Sequence, residues 1–290
     1  MSFRFKRHEE VAKGLRRIFT SELETAAQGL LPPANAERDK AIHEARKSVK
    51  KGRGVLRLLQ PQLGEAYKIA NTQLGDVGRR LSAFRDAGAM LETLAALQEA
   101  YPDELPKAKL TAVRAALTRA KAKAEHAGKL DVVFEDLAAE LQTVASHAEH
   151  WELPEKGFDA LAPGFQKAFR RGRKALRKAL ETGGDEDFHE WRKRVKDHWY
   201  HVRLLEACSP ELESYGQQLR QLETWLGDDH NLVVLAQKVS QATPLLALAA
   251  RRREELRAQA VELGQELYAV KPRKLVDKVQ KHWDAWRRPS

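Results

Sequence analysis

The 290-residue sequence has a single cysteine, Cys208, and few aromatic residues. One cysteine excludes an internal disulfide framework and is typical of a reducing compartment. No apolar run reaches the roughly 18–20 residues that a membrane-spanning helix needs. The N-terminal stretch MSFRFKRHEEVAKGL also lacks the apolar segment and cleavage site of a signal peptide. We therefore expect a cytoplasmic protein with no membrane partner.

Patterns of β-strands are missing as well, since no window alternates apolar and polar residues. Ala, Leu, Glu, Lys and Arg are instead abundant, and apolar residues recur at the 3.6-residue spacing of a helix. Breaks such as LLPPAN and QPQLG separate the periodic segments. The sequence therefore predicts an all-α fold. The predicted helices lie near residues 6–30, 36–60, 63–79, 83–100, 104–127, 131–150, 159–182, 186–207, 211–226, 229–240, 245–269 and 272–287.

The chain contains the same kind of basic segment twice. IHEARKSVKKGRGVLRLL begins at Ile42, and FHEWRKRVKDHWYHVRLL begins 146 residues later, at Phe188. A loop-like stretch at 151–164, with two prolines and two glycines, lies between them. A basic helix precedes each copy. We therefore expect a duplicated helical bundle with about six helices in each half, the halves being residues 1–152 and 153–290.

On a helical wheel, each copy places its basic residues on one arc of roughly 120° that contains no carboxylate. Apolar residues fill much of the other side. We call the two sets the first basic row and the second basic row. They consist of His43, Arg46, Lys47, Lys50, Arg53 and Arg57, and of His189, Arg192, Lys193, Lys196, Tyr200 and Arg203.

Rows of like charge without acids favour an anionic ligand. Exposed helix faces usually mix charges, because like charges one turn apart destabilise a helix by about 0.2–0.5 kcal/mol per pair. The first basic row extends about 21 Å along its helix, which suits an extended polyanion better than one compact phosphate. The formal net charge of +10 points the same way. The alternative is a solvated face with no ligand.

The helix before each row adds further basic residues. FQKAFRRGRKALRKAL, residues 165–180, holds seven basic residues and no acid. Some of these must point to solvent, and the sequence leaves open which of them reach a ligand. The candidates are Lys13, Arg16 and Arg17 in the first half and Lys167, Arg170, Arg171 and Lys174 in the second.

The pairing of HEARKSVKKGR with HEWRKRVKDHWY resembles the CHAD family, the conserved-histidine α-helical domain, over essentially the whole chain. The doubled His-x-x-Arg-x-x-x-Lys pattern is its most specific part. AFRDA, with Asp86, and LGDDHNL, with Asn231 at the corresponding position, support it. The resemblance implies two pseudo-symmetric helical bundles around a basic central cavity or pore. It also implies binding of long-chain inorganic polyphosphate, often on polyphosphate granules, with no catalysis by this domain.

Carried over residue by residue, the resemblance assigns polymer contacts in both copies. Asp197 and Trp199 stand where basic residues are common in the family, and Asn231 replaces the usual Asp, so the second basic row carries less charge than the first. The matching positions are His43, Arg46, Lys50, Lys51 and Arg53 in the first copy and His189, Arg192, Lys193, Lys196 and Tyr200 in the second.

Other kinds of site have weaker support. Histidines recur three apart, at His147 and His150 and at His198 and His201, but no Cys cluster or Glu-x-x-His set joins them, so we expect no metal and no cofactor. His198 falls on an apolar arc and is predicted to be a core residue with satisfied hydrogen bonds.

The remaining charged and aromatic residues have plainer interpretations. We expect Asp86, Asp228 and Asp229 to cap helices or to orient neighbouring Arg and Lys, and not to bind Mg²⁺. The RRRE run at 251–254 is expected to be a solvated face. Five aromatic residues at helical spacing are expected in the core, and not as platforms for nucleobases. They are Phe84, Phe188, Trp191, Trp199 and Trp225.

The leading functional hypothesis is a non-enzymatic protein that binds inorganic polyphosphate along the paired rows. The alternative is a nucleic-acid-binding helical protein that uses the same surface, although no helix-turn-helix, zinc-finger, RRM or basic-zipper pattern is present. We expect nucleic acid only as a non-specific competitor. Some family members carry a fused β-stranded hydrolase domain; nothing in this sequence could form it, so hydrolysis is not expected. The oligomeric state stays open.

Overall fold

The computed structural model describes residues 2–32, 37–105, 107–126, 130–239 and 243–288. Over those residues the fold is all-α with no strand, which confirms the predicted class. None of the described helices is long and apolar enough to cross a membrane. The helices are α1 (Val11–Leu30), α2 (Arg38–Leu58), α3 (Gln60–Ala100), α4 (Lys107–His126), α5 (Leu130–His147), α6 (Ala162–Thr182), α7 (Asp185–Leu205), α8 (Pro210–Lys238), α9 (Thr243–Leu267) and α10 (Pro272–Arg287).

Two predicted helix breaks are absent, because α3 and α8 each continue through a position where the sequence suggested an end. Gly227 does not end α8, since one glycine costs a helix only about 1 kcal/mol. Its missing side chain instead makes room for Arg192, whose Nη2 would lie 3.0 Å from a Cβ at position 227. The described residues therefore form ten α-helices, five in each half where about six were expected, if α3 is counted as one helix that is kinked at Gly64.

The order of helix packing is the same on both sides of that stretch. α1 packs against α2 and α5, as α6 packs against α7 and α10. α2 also packs against α3, and α3 packs against α4. In the same way, α7 packs against α8, and α8 packs against α9. Across the two sides, α2 contacts α7 and α3 contacts α8. The helices that carry the two basic rows are thus direct neighbours.

The main hydrophobic core takes residues from both sides of the chain. Phe19, Phe165 and Trp191 are fully buried in it, and the connecting stretch contributes Trp151 and Phe158. A second, smaller cluster joins α3 and α4 to α8 and α9. Because burial of each large apolar side chain stabilises the fold by about 1.5–3 kcal/mol, the apolar faces of α2 and α7 are held against these cores and their basic faces point outward.

Candidate functional site

An open cleft of about 720 Å³ lies between α2 and α7, with further walls from α3 and α8. Eight Lys or Arg side chains and two Glu side chains line it, whereas the whole sequence has 51 Lys and Arg against 41 Asp and Glu. We call it the α2–α7 cleft. Its charged and aromatic lining residues are His43, Arg46, Lys47, Lys50, Glu92, His189, Arg192, Lys193, Lys196, Trp199, Tyr200, Arg203, Arg220, Glu223 and His230.

The cleft contains the whole second basic row but only the first four members of the first basic row. Arg53 and Arg57 do not line the cleft. Arg53 Nε donates to Asn71 Oδ1 at 3.1 Å. Arg57 forms an ion pair of 2.6 Å with Asp197 of α7. Contacts with neighbouring helices therefore divide a row that the wheel treats as continuous.

Arg57 reaches a different, much smaller pocket around Asp197, which is also lined by Lys167 and Arg171 of α6. Burial raises the pKa of the Asp197 carboxyl, against the opposing effect of Arg57 and then Arg194. Asp197 is thus a buried ion-pair partner and does not line the α2–α7 cleft.

The two other α6 candidates, Arg170 and Lys174, are exposed on that helix, outside the lining of the α2–α7 cleft.

The candidates on α1 also lie outside the cleft. Arg17 forms an ion pair of 2.6 Å with Glu9, and Arg16 donates to the main-chain oxygen of Trp151. Lys13 is exposed on the same helix and does not line the cleft. Arg16 and Arg17 are explained by these contacts between α1 and its neighbours.

Lys51, one of the residues matched to the family motif, also turns away from the cleft. Its Nζ lies 2.7 Å from Glu22 Oε1 of α1, and the same carboxylate accepts a hydrogen bond of 2.8 Å from Ser48. Glu22 is buried, so this pair joins α1 to α2 through a polar contact inside the bundle.

Glu223 of α8 is the acid that neutralises part of the second basic row. It lies 2.6 Å from Lys196 Nζ and 3.2 Å from Arg192 Nε, and it is buried. The wheel missed it because a wheel considers one helix at a time. The available signal was its position between Leu219 and Leu226, where a carboxylate interrupts the apolar stripe of α8.

Lys50 lies among Lys196, Arg46 and Arg192 without an acid of its own. Among the side chains that the structure describes, no carboxylate makes an ion pair with it. Burial, followed by Lys196, Arg46 and Arg192, lowers the pKa of Lys50 to about 7. The residue still keeps surface exposed to the solvent of the cleft. At neutral pH this ammonium group is therefore only partly protonated.

Two histidines stack at the wall of the cleft formed by α7 and α8. The ring centroids of His189 and His230 are 3.7 Å apart, and Nδ1 of His189 is buried without a hydrogen-bond partner among the described residues. Burial lowers the pKa of both rings, that of His230 to about 4. At neutral pH both rings are therefore mostly uncharged. His43, by contrast, is exposed.

Trp199 packs against the main core, as predicted, and also lines the cleft. It is half-buried, its ring stacks on Tyr200 with centroids 5.1 Å apart, and the Arg203 guanidinium lies 5.2 Å from its centroid. Burial raises the pKa of the Tyr200 hydroxyl. Trp191 and Phe188 are buried as predicted, whereas Phe84 and Trp225 are partly buried against the cores.

Asp229 confirms the expectation that an acid of this segment orients basic neighbours. Its Oδ1 lies 3.0 Å from the Nε atoms of both Arg253 and Arg257. The prediction of a solvated face for the RRRE run is therefore wrong at Arg253, which also pairs with Asp185. Asp228 is exposed. The Asp86 side chain lies outside the described ones.

His198 is fully buried, as predicted, but its hydrogen bonds are only partly satisfied. Its Nδ1 lies 3.4 Å from the Tyr268 hydroxyl, while Nε2 has no partner among the described residues. The described residues also contain no group of three or more His, Cys, Asp or Glu side chains that could hold a metal ion.

The fold and the cleft together define a helical protein whose two neighbouring basic helices line one cationic cleft. The CHAD domain family model matches residues 18–240, and the chain belongs to that family. The resemblance to this family that the sequence indicated is therefore confirmed.

Solved structures give the same fold. The CHAD domain from the plant Ricinus communis is 18% identical with a TM-score of 0.56, and the match covers 100% of this chain and 97% of that one. PptA from Streptomyces chartreusis is 20% identical with a TM-score of 0.52, covering 88% of this chain and 99% of that one. At these identities the likeness concerns the fold alone. A comparison with curated proteins found no match.

Proposed function

We propose that this protein binds long-chain inorganic polyphosphate without catalysing a reaction on it, and that the α2–α7 cleft holds the polymer. The observation that supports this most directly is the lining of the cleft, in which eight Lys or Arg side chains meet only two Glu side chains. Like charges gathered at this density repel one another. A polyanion that enters the cleft removes that repulsion and gains the attraction of all eight groups.

An extended polymer fits the arrangement better than a single phosphate group. The cationic side chains follow α7 from His189 to Arg203, about 21 Å of helix axis, and follow α2 from His43 to Lys50, about 10 Å. Arginine binds phosphate oxygens through paired donors, and lysine acts as a mobile point charge. Cations on both walls would contact successive phosphates of one chain.

We further propose that the two sides of the chain are related by an approximate two-fold axis, with residues 1–152 and 153–290 as its repeats and the cleft as the shared central cavity. The repeated order of helix packing supports this. The family resemblance adds the expectation that the protein associates with polyphosphate granules in the cytoplasm.

A calorimetric titration with long-chain polyphosphate tests the location of the site. Lys47→Glu with Lys193→Glu reverses two exposed charges at the rim of the cleft, where each side chain now pairs only with an acid one turn away. The matched control is Arg170→Glu with Lys174→Glu, the same change of net charge on the exposed face of α6. We expect the cleft variant to weaken binding at least about tenfold more than the control, which corresponds to about 1.4 kcal/mol. Equal losses would assign binding to a diffuse cationic surface and overturn the proposal.

The absence of catalysis is tested separately. The purified protein is incubated with polyphosphate, Mg²⁺ and nucleotide, and the polymer length is followed on a gel. We expect no change of length with time. Shortening or extension that depends on the protein would replace the binding role by an enzymatic one.

One observation favours the nucleic-acid alternative, namely the half-buried Trp199 ring inside the cleft. A base stacked on an aromatic ring contributes about 1–3 kcal/mol. Competition distinguishes the two functions: duplex DNA or single-stranded RNA is added to the polyphosphate complex at equal phosphate concentration. We expect little displacement. Efficient displacement by RNA that is lost in Trp199→Ala would favour the alternative.

A further inference from the structure

Lys50 occupies an unusual position among the lysines of the cleft. Lys47 pairs with Glu44 at 3.1 Å, Lys193 with Glu190 at 2.6 Å and Lys196 with Glu223 at 2.6 Å. Lys50 has no such pair among the described side chains, although its residue is exposed to the cleft. It is therefore an accessible amine held among cations.

The internal repeat explains why no acid reaches Lys50. Glu223 stands eight residues before Asn231 on α8, and the corresponding position before Asp86 on α3 is Gly78. The carboxylate that neutralises Lys196 thus has no counterpart on the other side. A Cβ placed on Gly78 would lie 3.7 Å from Val49 Cγ1, an ordinary contact, so a larger residue is not excluded there by space. The absence of an acid at position 78 therefore results from the residue present there and not from a lack of space.

We propose that Lys50 is a covalent modification site that accepts the acyl group of small acyl phosphates. The inference rests on the proposed function in one respect, because it uses the same cationic cleft to attract the phosphate group of the reagent. Arg46 lies on the same helix and Arg192 lies across the cleft. Both carry guanidinium groups, which commonly bind phosphate oxygens through paired donors. An acyl phosphate held by them would present its carbonyl carbon to the Lys50 amine.

The reaction balances without a further reagent. The lone pair of the neutral Lys50 Nζ attacks the carbonyl carbon, and the bond from that carbon to the phosphate oxygen breaks. Inorganic phosphate leaves with the electron pair, the nitrogen loses a proton to water, and an amide remains. The nearby guanidinium groups stabilise the charge that develops on the departing phosphate.

The electrostatics of the cleft support a neutral amine at Lys50. Burial disfavours its protonation most, followed by Lys196 of α7, Arg46 of α2 and Arg192 of α7, and the smaller effect of Glu223 of α8 opposes them. With the pKa at about 7, most of the amine is unprotonated at pH 7.5. An ordinary lysine, with a pKa of about 10.4, is unprotonated at roughly one part in a thousand at that pH. A neutral amine with a lowered pKa is a weaker nucleophile than that of an ordinary lysine, which reduces the advantage of Lys50 in reaction rate without removing it.

Acylation at Lys50 would regulate the cleft. It replaces an amine that a bound polyanion would protonate by an amide that stays neutral, in the middle of the first basic row. The attraction for a polyanion therefore falls. We expect Lys50→Gln to weaken polyphosphate binding several-fold and Lys50→Arg to retain it.

The test measures acetylation of each lysine by mass spectrometry after the full chain is incubated with acetyl phosphate at pH 7.5. A parallel incubation uses phenyl acetate, an uncharged acetyl donor, and both are repeated with long-chain polyphosphate present. We expect Lys50 to react about tenfold or more faster than Lys47 with both reagents, and polyphosphate to protect it. The rate at Lys50 should level off above pH 8, while that at Lys47 continues to rise.

Each outcome has a distinct meaning. If Lys50 reacts no faster than Lys47 with either reagent, the modification site is overturned even where calorimetry shows polymer binding. If it reacts preferentially with phenyl acetate alone, acyl phosphates are the wrong class of substrate. If it reacts as expected but polyphosphate neither protects it nor binds, the proposed function fails and the reactive lysine stands.

Discussion

Gly54 of α2 lies directly against Tyr200 of α7, so closely that a Cβ on Gly54 would sit 2.9 Å from the Cβ of Tyr200. At the same point, His201 Nε2 donates a hydrogen bond of 3.0 Å to the main-chain oxygen of Gly54. The backbone of α2 at Gly54 is therefore in direct contact with side chains of α7. This contact fixes how the two basic helices that line the cleft lie against each other.

Gly54→Ala should destabilise the fold by about 1–3 kcal/mol, because the new methyl group meets an atom next to the main chain of α7 that cannot rotate away. Polyphosphate binding should weaken as well, since the two rows are displaced relative to each other. Urea unfolding and calorimetry measure the two effects.

Gly29→Ala on α1 is the control, because nothing lies within 4 Å of its new Cβ. There we expect a gain of about 0.5–1 kcal/mol, the usual effect in a helix. A Gly54→Ala protein as stable as the wild type would contradict the close crossing.

The buried histidines should make the fold sensitive to mild acid. Burial lowers the pKa values of His198 and His201 to about 3, whereas in the unfolded chain they are near 6.5. The unfolded state therefore binds more protons between those values, and stability is lost as pH falls through that window. The expected slope is up to about 1.4 kcal/mol per pH unit for each ring.

Urea unfolding at pH 7, 6 and 5 measures this loss. His147→Gln with His150→Gln removes two exposed histidines and should leave the slope unchanged. A free energy of unfolding that stays constant from pH 7 to pH 5 would contradict this, because it would mean that the folded and unfolded proteins take up protons equally over that range.

The sequence predicted the helices well because each is amphipathic with its own apolar stripe. It failed at Gly227, where glycine usually signals an end. The reason is tertiary: the space left by that glycine is filled by Arg192 from another helix. Local patterns cannot distinguish a glycine that ends a helix from one that admits a neighbour.

The candidate site could be predicted in part, because the wheel gives the side of a helix on which a residue lies. It does not give the helix that comes to meet that side. Arg53 and Arg57 share the arc of Lys50, yet they bond to Asn71 of α3 and Asp197 of α7 and do not line the cleft. Glu223 enters from a third helix, and Trp199 is partly exposed where it borders the cleft, with the Arg203 guanidinium over its ring.

Glu223→Gln should have opposite effects on the free protein and on the complex. Removing the carboxylate leaves Arg192 and Lys196 unneutralised, so the free protein should lose about 1–3 kcal/mol of stability. The same change frees two cations for the polymer, so polyphosphate should bind more tightly. Thermal unfolding with and without the polymer measures both effects. Compared with the wild type, the variant should have a lower Tm without the polymer and a larger rise in Tm when the polymer is added.

Glu44→Gln is the matched control, since this exposed acid pairs only with Lys47 one turn away. Exposed pairs contribute at most about 1 kcal/mol, so the Tm should change little. A Glu223→Gln protein that binds polyphosphate more weakly than the wild type would show that the carboxylate positions the two cations, and does not compete for them.

Lys50 should couple polyphosphate binding to proton uptake. The pKa of its ammonium group is about 7 in the free protein, and a bound polyanion favours the charged form and raises that pKa. Binding therefore takes up protons above pH 7, and the affinity should fall as pH rises, by up to about tenfold per pH unit for one group. Calorimetry at pH 7.5 in two buffers of different protonation enthalpy counts these protons. Lys50→Arg stays charged in both states and should take up fewer, which separates the lysine from the terminal phosphates of the polymer. Equal proton uptake in both proteins would place the titrating group elsewhere.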